Sequence, residues 1–306
     1  MIATDLDETP QKRHRVEWIT LAMIVLCYAS WAAVVFGLWT LAPGWSVLAL
    51  AVILAFHSSL SHEALHGHPF AARWANEALM ALPVGLAVPY NRFRDLHLDH
   101  HRDANLTDPY DDPESNYLDP AVWSQLARWH RWVLRVNNTL AGRIAIGSAV
   151  GQVAFVRDEW QAARRSDRAV WLAWALHLAG VVVVLALIAW AGMAVWAYLI
   201  SAYLALSLLR IRTFLEHRAH EKSRGRSVII EDRGVLAFLF LNNNFHAVHH
   251  MNPTVPWYAL PGLYRAGKAR YCALNDGYIY RSYGQIFRTY FWRAKDPVAH
   301  PLWPEG

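Results

Sequence analysis

Four long apolar stretches restrict what this chain can fold into more than any other feature. Residues 18–41, from Trp18 to Leu41, carry no charged side chain, and a run of that length crosses a bilayer as a helix. Ala42-Pro43-Gly44 reads as a tight turn. The second stretch, 45–66, rises about 31 Å at ~1.5 Å per residue, which matches the ~30 Å hydrocarbon thickness. Stretches 169–190 and 193–212 form a second pair across the short turn Ala191-Gly192. The composition agrees. Hydrophobic residues make up 55% of the 306 and charged ones only 17%, too apolar for an ordinary soluble domain. The 16 tryptophans suit two membrane interfaces.

The intervening segment 76–90 (NEALMALPVGLAVPY) is apolar but short, and Pro83 and Pro89 interrupt it. It reads as an interfacial or partly re-entrant piece rather than a fifth span. The two short turns carry no Lys or Arg, whereas the N-tail, the middle region 67–168 and the C-terminal region 213–306 carry nearly all of them. The positive-inside rule therefore places both termini and the middle region in the cytoplasm. The polar N-terminal stretch has no signal-peptide pattern. The expected fold is all-α: one domain over 1–306, an integral membrane protein with four transmembrane helices and a helical cytoplasmic cap. The net charge of +5 calls for no nucleic-acid partner, because the arginines flank apolar spans.

Eight of the 16 histidines fall into three clusters. His62 and His66 are spaced i,i+4. His97, His100 and His101 form HxxHH, and His246, His249 and His250 repeat that pattern. Neutral imidazole is a common metal ligand, and on a helix these spacings put the rings on one face. Box one sits at the end of span two, so four spans bring all three boxes to one side of the membrane. Eight imidazoles exceed what one metal needs. Two metals with open positions, at the mouth of a helical bundle, point to a lipid tail entering from the hydrocarbon. Imidazole-only ligation suits Fe, Zn or Cu alike. The two cysteines, Cys27 and Cys272, cannot build an iron–sulfur or Cys-rich zinc site.

The boxes in their flanks, HEALHGHP (His62 to Pro69), HHRDANLTDPYDDPES (His100 to Ser115) and NNNFHAVHHMNPTVPWYALPGLY (Asn242 to Tyr264), resemble the membrane fatty acid desaturases, bacterial members in particular. The resemblance covers almost the whole chain. It implies a di-iron centre that activates O2 and removes hydrogen from an unactivated C–H bond of a fatty acyl or other lipid chain. It also implies a location in the bacterial inner membrane. Desaturation, hydroxylation, ketolation and oxidative decarboxylation all occur on related scaffolds, and the boxes do not distinguish them. On this resemblance the eight box histidines become iron ligands.

A ninth ligand, His217, follows from geometry and resemblance together. A helix continuing from about Trp196 brings His217 about 31 Å along, the depth assigned to His66, and desaturases carry an extra histidine just past the last span. Glu216 points elsewhere and pairs with an arginine. Glu63 and Asp99, inside the boxes, are candidates to orient ligands, while Asn243 and Asn244 serve either water-mediated metal contacts or a turn. The acids of 105–115 are assigned chiefly to turns, with orientation of box two as the other role. His57, His68 and His220 are left outside the site, and His177 is read as a packing residue.

No GxGxxG follows a predicted strand, so a separate ferredoxin- or cytochrome-type donor with its reductase is implied. A metal transporter or sensor is the non-enzyme alternative, but transport needs ionisable ligands near the midplane of several spans. Here the histidines gather at helix ends. The topology has a direct check: Asn105→Cys and Asp276→Cys should label only from the cytoplasmic side and Gly44→Cys only from outside. Opposite labelling of the first two would overturn the four-span count.

Overall fold

The computed structural model describes residues 16–102, 106–165 and 167–303. The N-tail 1–15 and Asn105 lie outside the described residues. Four helices are long and apolar enough to cross a membrane: α1 (Trp18–Leu41), α2 (Pro43–Leu65), and, later in the chain, Arg168–Trp190 and Val195–Thr213. A π-helical turn at Val34–Leu38 interrupts the regular winding of α1. Between the two pairs lie α3 (Arg73–Leu79), α4 (Tyr90–Arg102), α5 (Pro120–Gln125), α6 (Arg128–Asn137) and α7 (Leu140–Arg164). The second pair of spans is α8 (Arg168–Trp190) and α9 (Val195–Thr213). The cap follows as β1 (Ile229–Ile230), α10 (Val235–Leu239), α11 (His246–Met251), α12 (Leu260–Ala266), α13 (Lys268–Leu274), β2 (Ile279–Tyr280) and α14 (Tyr283–Tyr290). The protein is all-α apart from the parallel pair β1–β2, in register Ile229 to Ile279 and Ile230 to Tyr280.

Span boundaries fall within two residues of those expected from hydropathy. The outward faces are apolar: Leu41 is 83% exposed, Trp190 79% and Val182 66%. An apolar surface on that scale is stable against lipid and not against water. Inside, α2 and α9 form the central pair, with Leu50, Leu54, Ala197 and Tyr198 fully buried between the spans.

One element of the middle region was not legible. The polar middle region, in which no individual helix was placed, contains the 25-residue α7, an Arg-bearing helix that packs on α9. Its buried Glu159 accepts two hydrogen bonds from Arg92, at 2.8 Å each, and one from Trp174 Nε1 at 3.0 Å. Arg92 lies in the first turn of α4, so this pair fixes the helix that carries box two. A bidentate Arg–carboxylate pair supplies geometry as well as energy.

Segment 76–90 forms no span. After α3 the chain runs through turns at 80–89 with Met80 and Val84 buried. Irregular backbone at membrane depth is tolerated only when its polar groups find partners, and four helices supply them. Tyr28 Oη donates to the Leu79 carbonyl at 2.8 Å, Tyr198 Oη to Val84 at 2.7 Å and Gln152 Nε2 to Ala87 at 2.8 Å. His177 Nε2 donates to Leu86 at 3.0 Å, so the lone histidine of the third span is the packing residue it was read to be. Helix α8 approaches so closely at Gly180 that a Cβ there would lie 2.6 Å from Pro83 Cδ.

Tyr198 also accepts a hydrogen bond from Trp31 Nε1 at 2.8 Å, which ties α1, α9 and the loop together. Tyr198→Phe leaves two buried groups unpaired, at about 1–3 kcal/mol each before relaxation. The variant should unfold at a measurably lower temperature in detergent. An unchanged melting temperature would mean that these bonds do not hold the loop.

Candidate metal centre

The three boxes meet at one end of the bundle. Box one is the end of α2: His62 lies in its last turn and His66 caps it. Box two lies on α4 and box three on α11. His217 follows four residues after α9 ends at Thr213. The continuous helix expected to deliver it is absent. The chain leaves the helix after Thr213, and His217 instead bridges to Ser227 by its backbone, with Lys295 Nζ donating to its carbonyl. Its destination is nevertheless as expected.

The nine rings divide into two groups. His62, His66, His97, His101 and His249 form one; His100, His217, His246 and His250 form the other. Within each, one nitrogen per ring lies within 4.8 Å of all the others. Each HxxHH box is split between them. On a helix, residues i and i+4 are offset by about 40° and i+3 falls on the other side of i, by about 60°. His97 and His101 thus serve the first group while His100 serves the second, and His246 and His250 serve the second while His249 serves the first. The ring planes of His101 and His250, one from each group, stack 4.1 Å apart at 9°.

The donor chemistry fits cations. Nε2 of His62, His66, His97 and His249, and both nitrogens of His101, are buried without a hydrogen-bond partner. Orphaned polar atoms at this density carry a large desolvation cost unless a ligand takes them up. In the second group His217 Nε2 is 3.0 Å from His100 Nε2 and 2.9 Å from His246 Nε2, which is 3.1 Å from His250 Nε2. Nδ1 of His100 and of His246 already face acceptors, Asp112 Oδ1 at 2.7 Å and Asn243 Oδ1 at 3.2 Å. Their Nδ1 protons are therefore committed, and it is Nε2 of each that faces the other rings.

Burial, and next the neighbouring imidazoles, hold His66, His246, His249 and His250 well below the ordinary histidine value, and His101 at about 2. His217 is lowered by burial and then by His100. These rings stay neutral at physiological pH, the form that binds metal. His100 is the exception. Burial disfavours its charge, but Glu114 and Asp112 outweigh it and raise the ring to about 9. A metal there displaces a proton.

The acids of the 105–115 segment do more than shape turns. Glu114 Oε1 accepts from His97 Nδ1 at 2.7 Å and Asp112 from His100. Asp112 also accepts from the Thr107 and Glu114 backbone amides, so one carboxylate closes the turn and orients a ring. Only Asp108 fits the simple turn role, taking the amides of Tyr110 and Asp111. Asp99 lies on the exposed side of α4, away from the rings that its box contributes. Glu63 accepts from the Trp257 amide at 3.1 Å and stands 4.0 Å from His62 Nδ1, tying box one to the cap. Asn243 links His246 to Glu216, which pairs with Arg212 at 3.1 Å as expected. Asn244 is a fold residue: its amide donates to the Ile230 and Asp232 carbonyls.

The histidines left out of the site stay out of both groups. His68 bonds Glu17 at 2.6 Å and His220 bonds Asp276 at 3.1 Å. His57 contacts Tyr28 Oη at 3.0 Å and lines an apolar cavity of about 170 Å³ with Leu54, Met80, Val88 and Leu209. Phe93, on the cavity wall, has its ring 5.7 Å from that of His97. Phe93 thus stands between the cavity and the first group.

With this geometry in place, residues 37–283 match the family model of fatty acid desaturases. The chain belongs to the fatty acid desaturase family. It is also 28% identical over 252 residues to the beta-carotene ketolase of Paracoccus sp. (strain N81106 / MBIC 01143), spanning 76% of this chain and 87% of that protein. Four apolar helices and this membership make the desaturase-family chain an integral membrane oxidoreductase of the desaturase/oxygenase type.

The partition into five and four rings has a paired test. His217→Ala should lose metal to the same degree as His249→Ala, by elemental analysis of the purified protein. His220→Ala should keep its full complement. Retention of metal by His217→Ala would reduce the site to the three boxes.

Proposed function

We propose that this desaturase-family protein is an O2-dependent di-iron enzyme that attacks an unactivated C–H bond of a fatty acyl or other lipid chain, with desaturation as the leading reaction. One observation carries this: nine imidazoles in two adjoining groups stand one aromatic ring, Phe93, away from an apolar cavity between the spans. The family supports iron among the metals that imidazole suits. Iron bound there supplies the activation of O2 and the removal of hydrogen.

The residues do the rest. Glu114 and Asp112 take the Nδ1–H of His97 and His100, fixing tautomer and ring orientation. Phe93, Leu54 and Leu209 line the cavity with hydrocarbon, which holds an apolar chain and excludes water. All nine rings are buried or nearly so, so the reacting end of a substrate is screened from solvent.

A second reading has its own support. The ketolase relative favours oxygen insertion on the same scaffold, as hydroxylation or ketolation; oxidative decarboxylation completes the set. In each case the protein draws electrons from a separate donor and its reductase, and its setting would be the bacterial inner membrane with both termini cytoplasmic. Transport of metal fits less well, because the ligands cluster at helix ends instead of along a path.

Mass spectrometry of lipids and free acids from cells expressing the chain, beside a His249→Ala control, tests the reading. The expected product has lost two hydrogens (desaturation) or gained oxygen (hydroxylation, ketolation), appears only with O2, and accompanies about two irons per chain. One tightly held zinc, unchanged when iron is supplied, with no O2-dependent product, would defeat it.

A further inference from the structure

The centre has a second opening that the substrate cavity does not explain. A cleft of about 660 Å³ reaches His101 and His250. Its walls come from Leu106, the 223–227 turn, α11, α12 and α13, and it shares no lining residue with the apolar cavity. The two rings it reaches are the stacked pair, one from each nitrogen group. Whatever occupies this cleft approaches both halves of the centre at once.

The charge of the cleft is one-sided. Arg224 and Arg270 line it, both exposed, and no carboxylate among the described residues does. Neither arginine makes an ion pair among the described residues, and the nearby acids are largely spent. Asp276 pairs with His220 and Lys222, and Glu231 with Lys268. Glu221 remains against Arg224, Arg265 and Arg270. A concave cationic mouth steers an anionic partner and raises its association rate.

We infer that this cleft is the docking site of an acidic one-electron carrier protein of the ferredoxin class, held by Arg224 and Arg270 and delivering electrons through the edges of His101 and His250. The inference rests on the oxidoreductase reading above. Its electron balance calls for such a partner. Removing two hydrogens from a substrate while reducing one O2 to two waters takes two further electrons and two protons from outside. Inserting one oxygen and forming one water takes the same. A carrier of single electrons therefore docks twice per O2, which suits a site of exposed charge with fast exchange more than a buried apolar interface.

The test uses the full-length, iron-loaded protein in detergent. An acidic [2Fe–2S] ferredoxin with its NADPH-dependent reductase is the probe, and Arg224→Glu/Arg270→Glu the variant. Titration should show ferredoxin binding to wild type that weakens with salt, and at least about tenfold weaker binding to the variant, as for loss of steering charge. Arg288→Glu/Arg293→Glu, outside the cleft, should bind as wild type does. Ferredoxin-supported turnover should fall with binding, while iron content and turnover driven by dithionite stay unchanged. Equal ferredoxin binding by wild type and the Arg224/Arg270 variant overturns the docking site. So does an equal fall in both turnovers, which would assign the cleft to substrate or product. Wild-type protein that binds ferredoxin at the arginines yet yields no product with either reductant upholds the docking site and defeats the proposed reaction instead.

Discussion

Nine imidazoles packed with their free nitrogens toward one another are a liability that the whole cap is arranged around. Several of their buried nitrogens have no hydrogen-bond partner. Such a cluster is destabilising by itself and becomes stabilising when cations take up the lone pairs. Metal bound there would couple its affinity to folding for that reason. The rings come from the ends of two spans, from α4 and from α11, so a bound pair of metals would clamp elements distant in the chain.

The outer contacts make the arrangement specific. Asp112 and Glu114 face the Nδ1 atoms of box two, Asn243 faces that of His246, and Ser227 Oγ lies 3.3 Å from that of His217. Each carboxylate or amide oxygen holds a proton on the Nδ1 it faces and so leaves Nε2 toward the other rings. Glu63 and the Trp257 amide hold the cap to the end of α2. Below them, the loop at 80–89 wedges between spans, its carbonyls bonded by side chains of α1, α7, α8 and α9. That loop leads into α4. The position of box two thus depends on hydrogen bonds made at membrane depth and on the Arg92–Glu159 pair beside them.

The centre faces two unlike environments. On one side is a small apolar cavity bounded by the spans, suited to hydrocarbon. On the other is a wider cleft with arginines at its mouth and no acid among the described residues of its walls. Separation of this kind would let an apolar chain and the proposed charged carrier approach the centre without competing for a surface.

The residues alone determined the four spans, their pairing, the non-spanning character of 76–90 and eight of the nine rings. These are matters of hydropathy, length and helical spacing, all local in the chain. The sequence also pointed to His217, although by a continuous helix that does not exist. Only the tertiary structure decided the division of each HxxHH box between two groups, because that depends on how α4 and α11 are rotated relative to each other. It gave Asp112 and Glu114 the orienting role that the residues offered only as the alternative to turns, because the chain after α4 folds back and returns both carboxylates to the rings. It revealed α7, whose mixed polar and apolar pattern imitates loop until α9 and α4 pack against it. A histidine's identity is written in the chain, but the direction of its lone pair is set by contacts between residues far apart.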